Sequence, residues 1–205
     1  MTEVEAMSSR TGPWIETFTG KHFYPLDPKP EDFDLVDIAH SLANTCRFRG
    51  HVRRFFSVAE HSVNVSKLAE GIDPGAAVQG LLHDAAEAYL SDLASPLKPY
   101  IFVERLGTKE AIKNTELRVL RSLATATDGA FQIGDGVLSD LFYGVVAKAD
   151  HDTLHAEARV LMPYAWDGER PFVPQRHMDM VRCLTPDQAE VEFLARALAL
   201  QVSVP

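Results

Sequence analysis

The apolar residues of this chain recur mainly at intervals of three and four, the spacing of one face of an α-helix. Leu35, Ile38, Ala39, Leu42, Ala43 and Cys46 form such a stripe and predict a helix over 35–46, with His40 at its surface or core edge. Ser57-Val58-Ala59-Glu60 is a capping box, and it opens a second helix carrying Val63, Leu68 and Ala69, closed by Gly71. Asp73-Pro74 supplies the next N-cap and first helical residue. The helix after it turns Val78, Leu81, Leu82, Ala85 and Tyr89 toward the core and stops before Ser91-Asp92, with Pro96 preventing an early restart.

Further along, Phe102 to Leu123 predicts a helix split near Gly107, and 124–137 a loop of small residues. A long helix over Leu138–Leu161 presents Leu138, Leu141, Phe142, Val145, Val146 and Ala149 to the core, with Asp150 one step beyond the stripe. Trp166 to Arg176 reads as a loop, and Thr185-Pro186-Asp187-Gln188 caps a last helix running to about Gln201. Ahead of all this, aromatic and β-branched residues flank Thr19-Gly20 and predict a short hairpin within Trp14–Pro25. Residues 1–12 are predicted disordered. No internal repeat or low-complexity tract occurs. The expectation is an all-α domain with a small irregular or hairpin N-terminal element.

Composition narrows the class. At 205 residues the chain suits one domain, 1–205, with a sizeable core. An apolar fraction of 46% is ordinary for a globular protein. A net charge of −9 argues against nucleic-acid binding, which asks for a basic footprint. It does not exclude a small anionic substrate, because local arginines can outweigh a distant negative surface. Cys46 and Cys183 form no metal or redox motif and read as reduced thiols of a cytoplasmic protein. No signal peptide and no membrane-spanning run is evident, so no membrane partner is expected; a homodimer is allowed for.

The candidate chemistry starts from His83-Asp84, adjacent inside a strongly apolar helical stretch where ionisable groups are costly unless satisfied. Such a pair can be a buried hydrogen-bonded couple. It can also be half of a metal site, completed by His61 and Asp150 from two other helices. Two imidazoles and two carboxylates make a mixed nitrogen–oxygen set for a divalent ion (Mn, Co, Fe, Ni, Zn or Mg) with positions left open. The order His, His-Asp, Asp resembles the HD-domain metal-dependent phosphohydrolases from about Asp37 to Asp150, with the metal-site core over about 37–161. Enzymes of that group with two metals carry extra histidines between the His-Asp pair and the last Asp. None lies between His83 and Asp150 here, which favours one metal per chain. His151 and His155 are expected to pair with Asp152 or Glu157, or to face solvent.

Within that group the chain looks most like the 5′-deoxynucleotidase-like branch. Its pattern is matched by Glu60-His61-Ser62, by His83-Asp84-Ala85-Ala86-Glu87, and by Asp92-Leu93-Ala94-Ser95-Pro96-Leu97-Lys98. The resemblance implies that Glu87 orients or deprotonates the attacking water. It implies that Asp92 positions the leaving oxygen or sugar, or carries its proton. Glu60 is expected to be structural. The segment 47–54 holds four arginines, forked donors suited to phosphate, though a solvated basic loop would look alike. The branch has an Arg-Trp pair before its first His; Arg47-Phe48 is the nearest match, one residue closer and with Phe for Trp. Lys98 is a second candidate phosphate contact. The expected function is metal-dependent hydrolysis of a small phosphate monoester, foremost a nucleoside 5′-monophosphate. Nucleotide polyphosphate hydrolysis and a non-catalytic domain with a metal staple are the alternatives.

Overall fold

A computed structural model of the chain describes residues 10, 12–133, 137–163 and 172–204, the side chains of 137–142 excepted. It is mostly helical with two small antiparallel sheets. The N-terminal element is the expected hairpin: β1 (Ile15–Glu16) pairs with β2 (His22–Phe23). Most of the segment expected to be disordered, 1–12, lies outside the described residues.

Helix α1 (Leu35–Asn44) begins where the side chain of Asp34 accepts from the Val36 N–H and buries Ile38, Ala39, Leu42 and Ala43. It stops two residues early because Cys46 leaves it to form an antiparallel bridge with Ser57. Backbone bonds from Arg47 N to Phe56 O and from Val58 N to Thr45 O close the same junction. The arginine-rich segment is thus a loop clamped at its base. Asp37 ties the hairpin to α1 by accepting from the Thr19 N–H at 2.7 Å and the Thr19 hydroxyl at 2.8 Å.

Helix α2 (Val58–Ile72) is the centre of the molecule. Ser57 caps it by accepting from the Glu60 N–H, but the box is only half made, because the Glu60 carboxylate goes elsewhere. The helix runs one residue past Gly71 and ends at Asp73, whose side chain accepts from the Gly75 N–H to begin the next element. The following helix is not continuous as expected. It divides into α3 (Ala77–Leu82) and α4 (Glu87–Leu90), with His83–Ala86 between them in a tightened turn. Ala85 N bonds Leu82 O and Glu87 N bonds Asp84 O, three-residue steps in place of four.

The expected helix from Phe102 is also corrected. Phe102–Arg105 (β3) and Thr108–Ala111 (β4) form a hairpin, and helix α5 begins only at Ile112 and runs to Ala126. Leu106 and Gly107, with φ of 51° and 74°, make the two-residue turn with both φ positive that matches strand twist. The expected loop therefore starts after Ala126. Helix α6 (Val137–Leu161) forms as expected. Val146 and Ala149 are buried on it, while the side chains of Leu138, Leu141 and Phe142 lie outside the described residues. A short helix, α7 (Gln175–Met178), interrupts the predicted loop, whose part over 166–171 is not among the described residues. Helix α8 (Pro186–Ala199) has the full reciprocal capping box of Thr185 and Gln188.

Helices α1, α3, α6 and α8 all pack on α2. The main core joins Phe23, Phe33, Ile38, Leu42, Val63, Leu81, Leu82, Leu123 and Phe193. A second, smaller cluster of Val65, Ala69, Ala76, Val146 and Ala149 seats α6 on α2. Gly80 permits α3 to cross α2 closely: a Cβ there would stand 2.9 Å from the Ser66 Cα. Among the described residues no helix is long and apolar enough to cross a membrane.

Candidate metal centre

Three elements converge on the buried end of α2. His61 lies in its first turn, fully buried. The crossing at Gly80 brings the end of α3, and with it His83 and Asp84, over that turn. The small cluster around Ala149 brings Asp150 from α6. The Nε2 atoms of His61 and His83 face each other at 3.3 Å. Asp84 Oδ2 lies 3.5 Å from His61 Nε2 and 3.3 Å from His83 Nε2, and Asp150 Oδ1 lies 3.2 Å from His61 Nε2. All four residues expected as metal ligands are therefore brought together; His61, His83 and Asp150 have ligand atoms mutually within 4.8 Å.

The outer nitrogens decide what the inner ones can do. His83 Nδ1 is 2.8 Å from the Gly80 carbonyl, which only accepts, so this nitrogen carries the hydrogen. His61 Nδ1 is 2.7 Å from Glu157 Oε1 and donates to that carboxylate. Both inward Nε2 atoms are left as lone pairs in the neutral rings. Two lone pairs at 3.3 Å repel unless a cation or a proton stands between them. An ion with bonds of ~2.1 Å has donor–donor edges of ~3.0 Å (octahedral) to ~3.4 Å (tetrahedral), and the separations here fall around that range. The donor set fits a divalent metal.

Without a metal, protons take that place. Burial alone would lower the His83 pKa, but Asp84 beside it pushes it up to about 9. His61 is also raised: Glu157 and Asp150 outweigh burial and the Arg47 charge. Burial works to raise Asp84, yet His83, His61 and Arg47 hold it far below the usual carboxylate range. Asp150 is lowered against its burial by the two imidazoles.

Glu87 begins α4, one tightened turn from Asp84, and is buried. Burial first, then the neighbouring charges of Asp84 and Asp92, push its pKa up to about 9. Its Oε1 is 3.6 Å from Lys98 Nζ, and its Oε2 is buried with no hydrogen-bond partner. Lys98 lies 3.0 Å from Glu116 on α5, so it is engaged by two carboxylates. Asp92 follows Ser91, which is held at a positive φ of 69°. The Asp92 backbone carbonyl accepts from Arg49 Nη1 at 3.0 Å.

Arg47 sits differently from a free phosphate clamp. Its guanidinium is nearly enclosed, with Nε 3.0 Å from Glu157 Oε2 and Nη1 3.6 Å from Asp84 Oδ2. Burial would lower its pKa, but Glu157, Asp84 and Asp150 raise it. Phe48 is partly buried, its ring 5.6 Å from the Arg47 guanidinium carbon. Phe48, Arg49 and Gly50 all have positive φ, at 53°, 55° and 78°. Three successive left-handed residues turn the loop sharply beside the site.

Two carboxylates take part in the site that the sequence pattern does not assign to it, Glu157 and Glu116. Glu157 is fully buried and serves His61 and Arg47, so it is not the partner of His151 or His155. Those two bond each other at 3.0 Å on an exposed face of α6, with His151 3.9 Å from Asp152. Glu157 is seven residues beyond Asp150, two helical turns along the same face, and that spacing was the available signal. Glu116 carried none. The carboxylate of Glu60, structural as expected, accepts from the backbone N–H groups of Arg182, Cys183 and Leu184.

No protein-family model matches the chain. Over 85 residues it is 47% identical to the uncharacterized protein YfdR of Escherichia coli (strain K12), covering 42% of this chain and 46% of that protein. Over 94 residues it is 38% identical to an uncharacterized protein of Rhodobacter capsulatus, covering 43% of this chain and 48% of that one. The chain thus spans about half the length of the curated relatives it matches, and their descriptions lend it no activity.

Proposed function

We propose that the chain is an HD-type helical bundle and a metal-dependent phosphohydrolase, acting on a small phosphate monoester, foremost a nucleoside 5′-monophosphate. The observation that carries this is the pair of inward Nε2 lone pairs of His61 and His83, each ring locked through its Nδ1, flanked by Asp84 and Asp150. A bound divalent ion polarises a phosphoryl oxygen and lowers the pKa of water toward ~7.

The protein's own groups supply the rest. Glu87 Oε2, buried without a partner, faces the loss of its hydration uncompensated. A water held against Glu87 relieves that cost, and Glu87 in its carboxylate form would take the proton as the water attacks phosphorus. Lys98 holds Glu87 from behind through Oε1. Asp92 positions the leaving oxygen or sugar, or passes on to it the proton taken from the water. Arg47, with Phe48 beside it, presents the guanidinium to the phosphate while Glu157 fixes its orientation.

A metal staple without catalysis would need only His61, His83, Asp84 and Asp150. It gives no reason to keep an unsatisfied carboxylate at Glu87, so the enzymatic reading is preferred. The test is turnover of a panel of nucleoside monophosphates and simple phosphate esters with added Mn2+, Co2+, Zn2+ or Mg2+. Metal-dependent release of phosphate, abolished in His83→Ala, is expected. A metal-loaded protein that cleaves none of them refutes the proposal.

A further inference from the structure

Glu157 is a carboxylate with no exposure at all, yet it belongs to neither the ligand set nor the proposed proton-transfer groups. Burying such a group is costly unless each oxygen is compensated. Both are. Oε1 accepts from His61 Nδ1 at 2.7 Å, and Oε2 accepts from Arg47 Nε at 3.0 Å. Arg47 continues the chain to Asp84 Oδ2 at 3.6 Å. One side chain on α6 therefore holds a candidate ligand from α2 and the innermost arginine of the loop 47–54.

We propose that Glu157 is a positioning residue serving both halves of the site. One oxygen fixes His61 as the Nδ1–H tautomer, so that Nε2 can coordinate. The other presents Arg47 to the anion. This rests on the metal-site reading above. The chemistry of the contact allows no ready substitute. Glutamine has one accepting oxygen and one donating NH2 group, whereas His61 and Arg47 both donate. In Glu157→Gln the amide satisfies one partner and confronts the other with a second donor. If NH2 faces His61, the ring is driven to the other tautomer and Nε2 loses its lone pair.

The test titrates Co2+ into wild-type protein and Glu157→Gln, following visible absorption and chelator competition, and then titrates inorganic phosphate into the Co2+-saturated proteins. Carboxylates behind metal-bound histidines typically contribute 10–100-fold in affinity. A Co2+ affinity ~10–100-fold weaker and a phosphate affinity also lowered are expected. Arg47→Met/Glu157→Gln removes the buried charges as a pair and keeps the variant foldable. Its Co2+ affinity is expected to stay below that of wild type, because the negative charge behind His61 is still missing. Leu123→Ala, in the main core far from the site in sequence, is the control for lost stability alone. Its Co2+ affinity should be unchanged despite a lower Tm.

An unchanged Co2+ affinity in Glu157→Gln overturns the proposal. So does an unchanged phosphate affinity, or a Co2+ loss no larger than that of Leu123→Ala. Wild-type Co2+ affinity in the double variant also overturns it, because Glu157 would then serve only to neutralise Arg47. A wild type that binds Co2+ but hydrolyses no ester refutes the phosphohydrolase reading and leaves the role of Glu157 intact.

Discussion

His61 and His83 meet through their inner nitrogens, 3.3 Å apart, while their outer nitrogens are held by a carboxylate and a backbone carbonyl. One cation between them resolves the contact. One equivalent of divalent metal per chain is expected by elemental analysis, with loss of the metal in Asp84→Ala. At a free metal concentration 100 times the Kd, the native state gains ~2.7 kcal/mol, visible as a raised Tm. Two tightly bound equivalents would contradict a single centre.

The same pair predicts how pH acts. With His83 pushed up to about 9, the metal-free protein carries a proton there at pH 7.5. A His pKa raised on folding contributes stability that is complete below the unfolded value of ~6.5 and lost as pH rises through the folded one. The metal-free Tm should therefore fall between about pH 6.5 and 9. Metal binding must displace the proton, so affinity should rise over the same window. Calorimetry in buffers of differing ionisation enthalpy reads the proton release directly; none at pH 7.5 would contradict the arrangement.

Glu87→Gln keeps the size of the side chain and removes the base. It should leave metal content intact and lower kcat by ~10²–10⁴-fold. Metal lost in proportion to activity would instead make Glu87 a ligand.

Arg47→Lys keeps the charge and loses the planar edge that meets Glu157 through Nε. A lowered kcat/KM for nucleoside monophosphates is expected. Matched triphosphates should be poorer substrates of the wild-type protein, because the chain has no glycine-rich phosphate cradle. Faster triphosphate cleavage would favour the polyphosphate alternative.

Gly80→Ala drives a methyl group to 2.9 Å from the Ser66 backbone, which cannot swing aside as a side chain could. The variant should lose about 1–3 kcal/mol of stability by denaturant unfolding. Because the carbonyl of Gly80 also holds His83, metal affinity should fall with it. A wild-type Cm would show that α2 and α3 separate more easily than their packing suggests.

Much of this was legible in the sequence because it rests on local rules. The stripe on α1, the cap at Ser57, the full box at Thr185 and the long α6 all follow from periodicity and capping chemistry. His61, His83, Asp84 and Asp150 were legible as a set because each stands out against an apolar face. The errors have equally local causes. Leu106-Gly107 lacks the Asn or Asp that usually announces a two-residue hairpin turn, so the pattern predicts helix where the hairpin forms. The tightening at His83–Ala86 leaves no mark in composition, since His83 and Ala86 keep right-handed backbone angles compatible with a helix. Glu60 satisfied a local capping rule on paper, while three backbone donors some 120 residues away claim its carboxylate. Glu116 acts only through Lys98, which no spacing rule connects to it, and Glu157 offers no sign beyond its two-turn spacing from Asp150.

The seating of α6 on α2 has a consequence in time. Eighty-nine positions separate His61 from Asp150, and their meeting depends on the small contact of Val65, Ala69, Ala76, Val146 and Ala149. Until α6 docks there, an ion finds at most three of its four ligands, His61, His83 and Asp84. A metal that grips only the finished assembly stabilises the native state without stabilising the transition state that precedes it. Its mark on the kinetics should be an unfolding limb slowed by the ion, beside a refolding limb that scarcely responds to it.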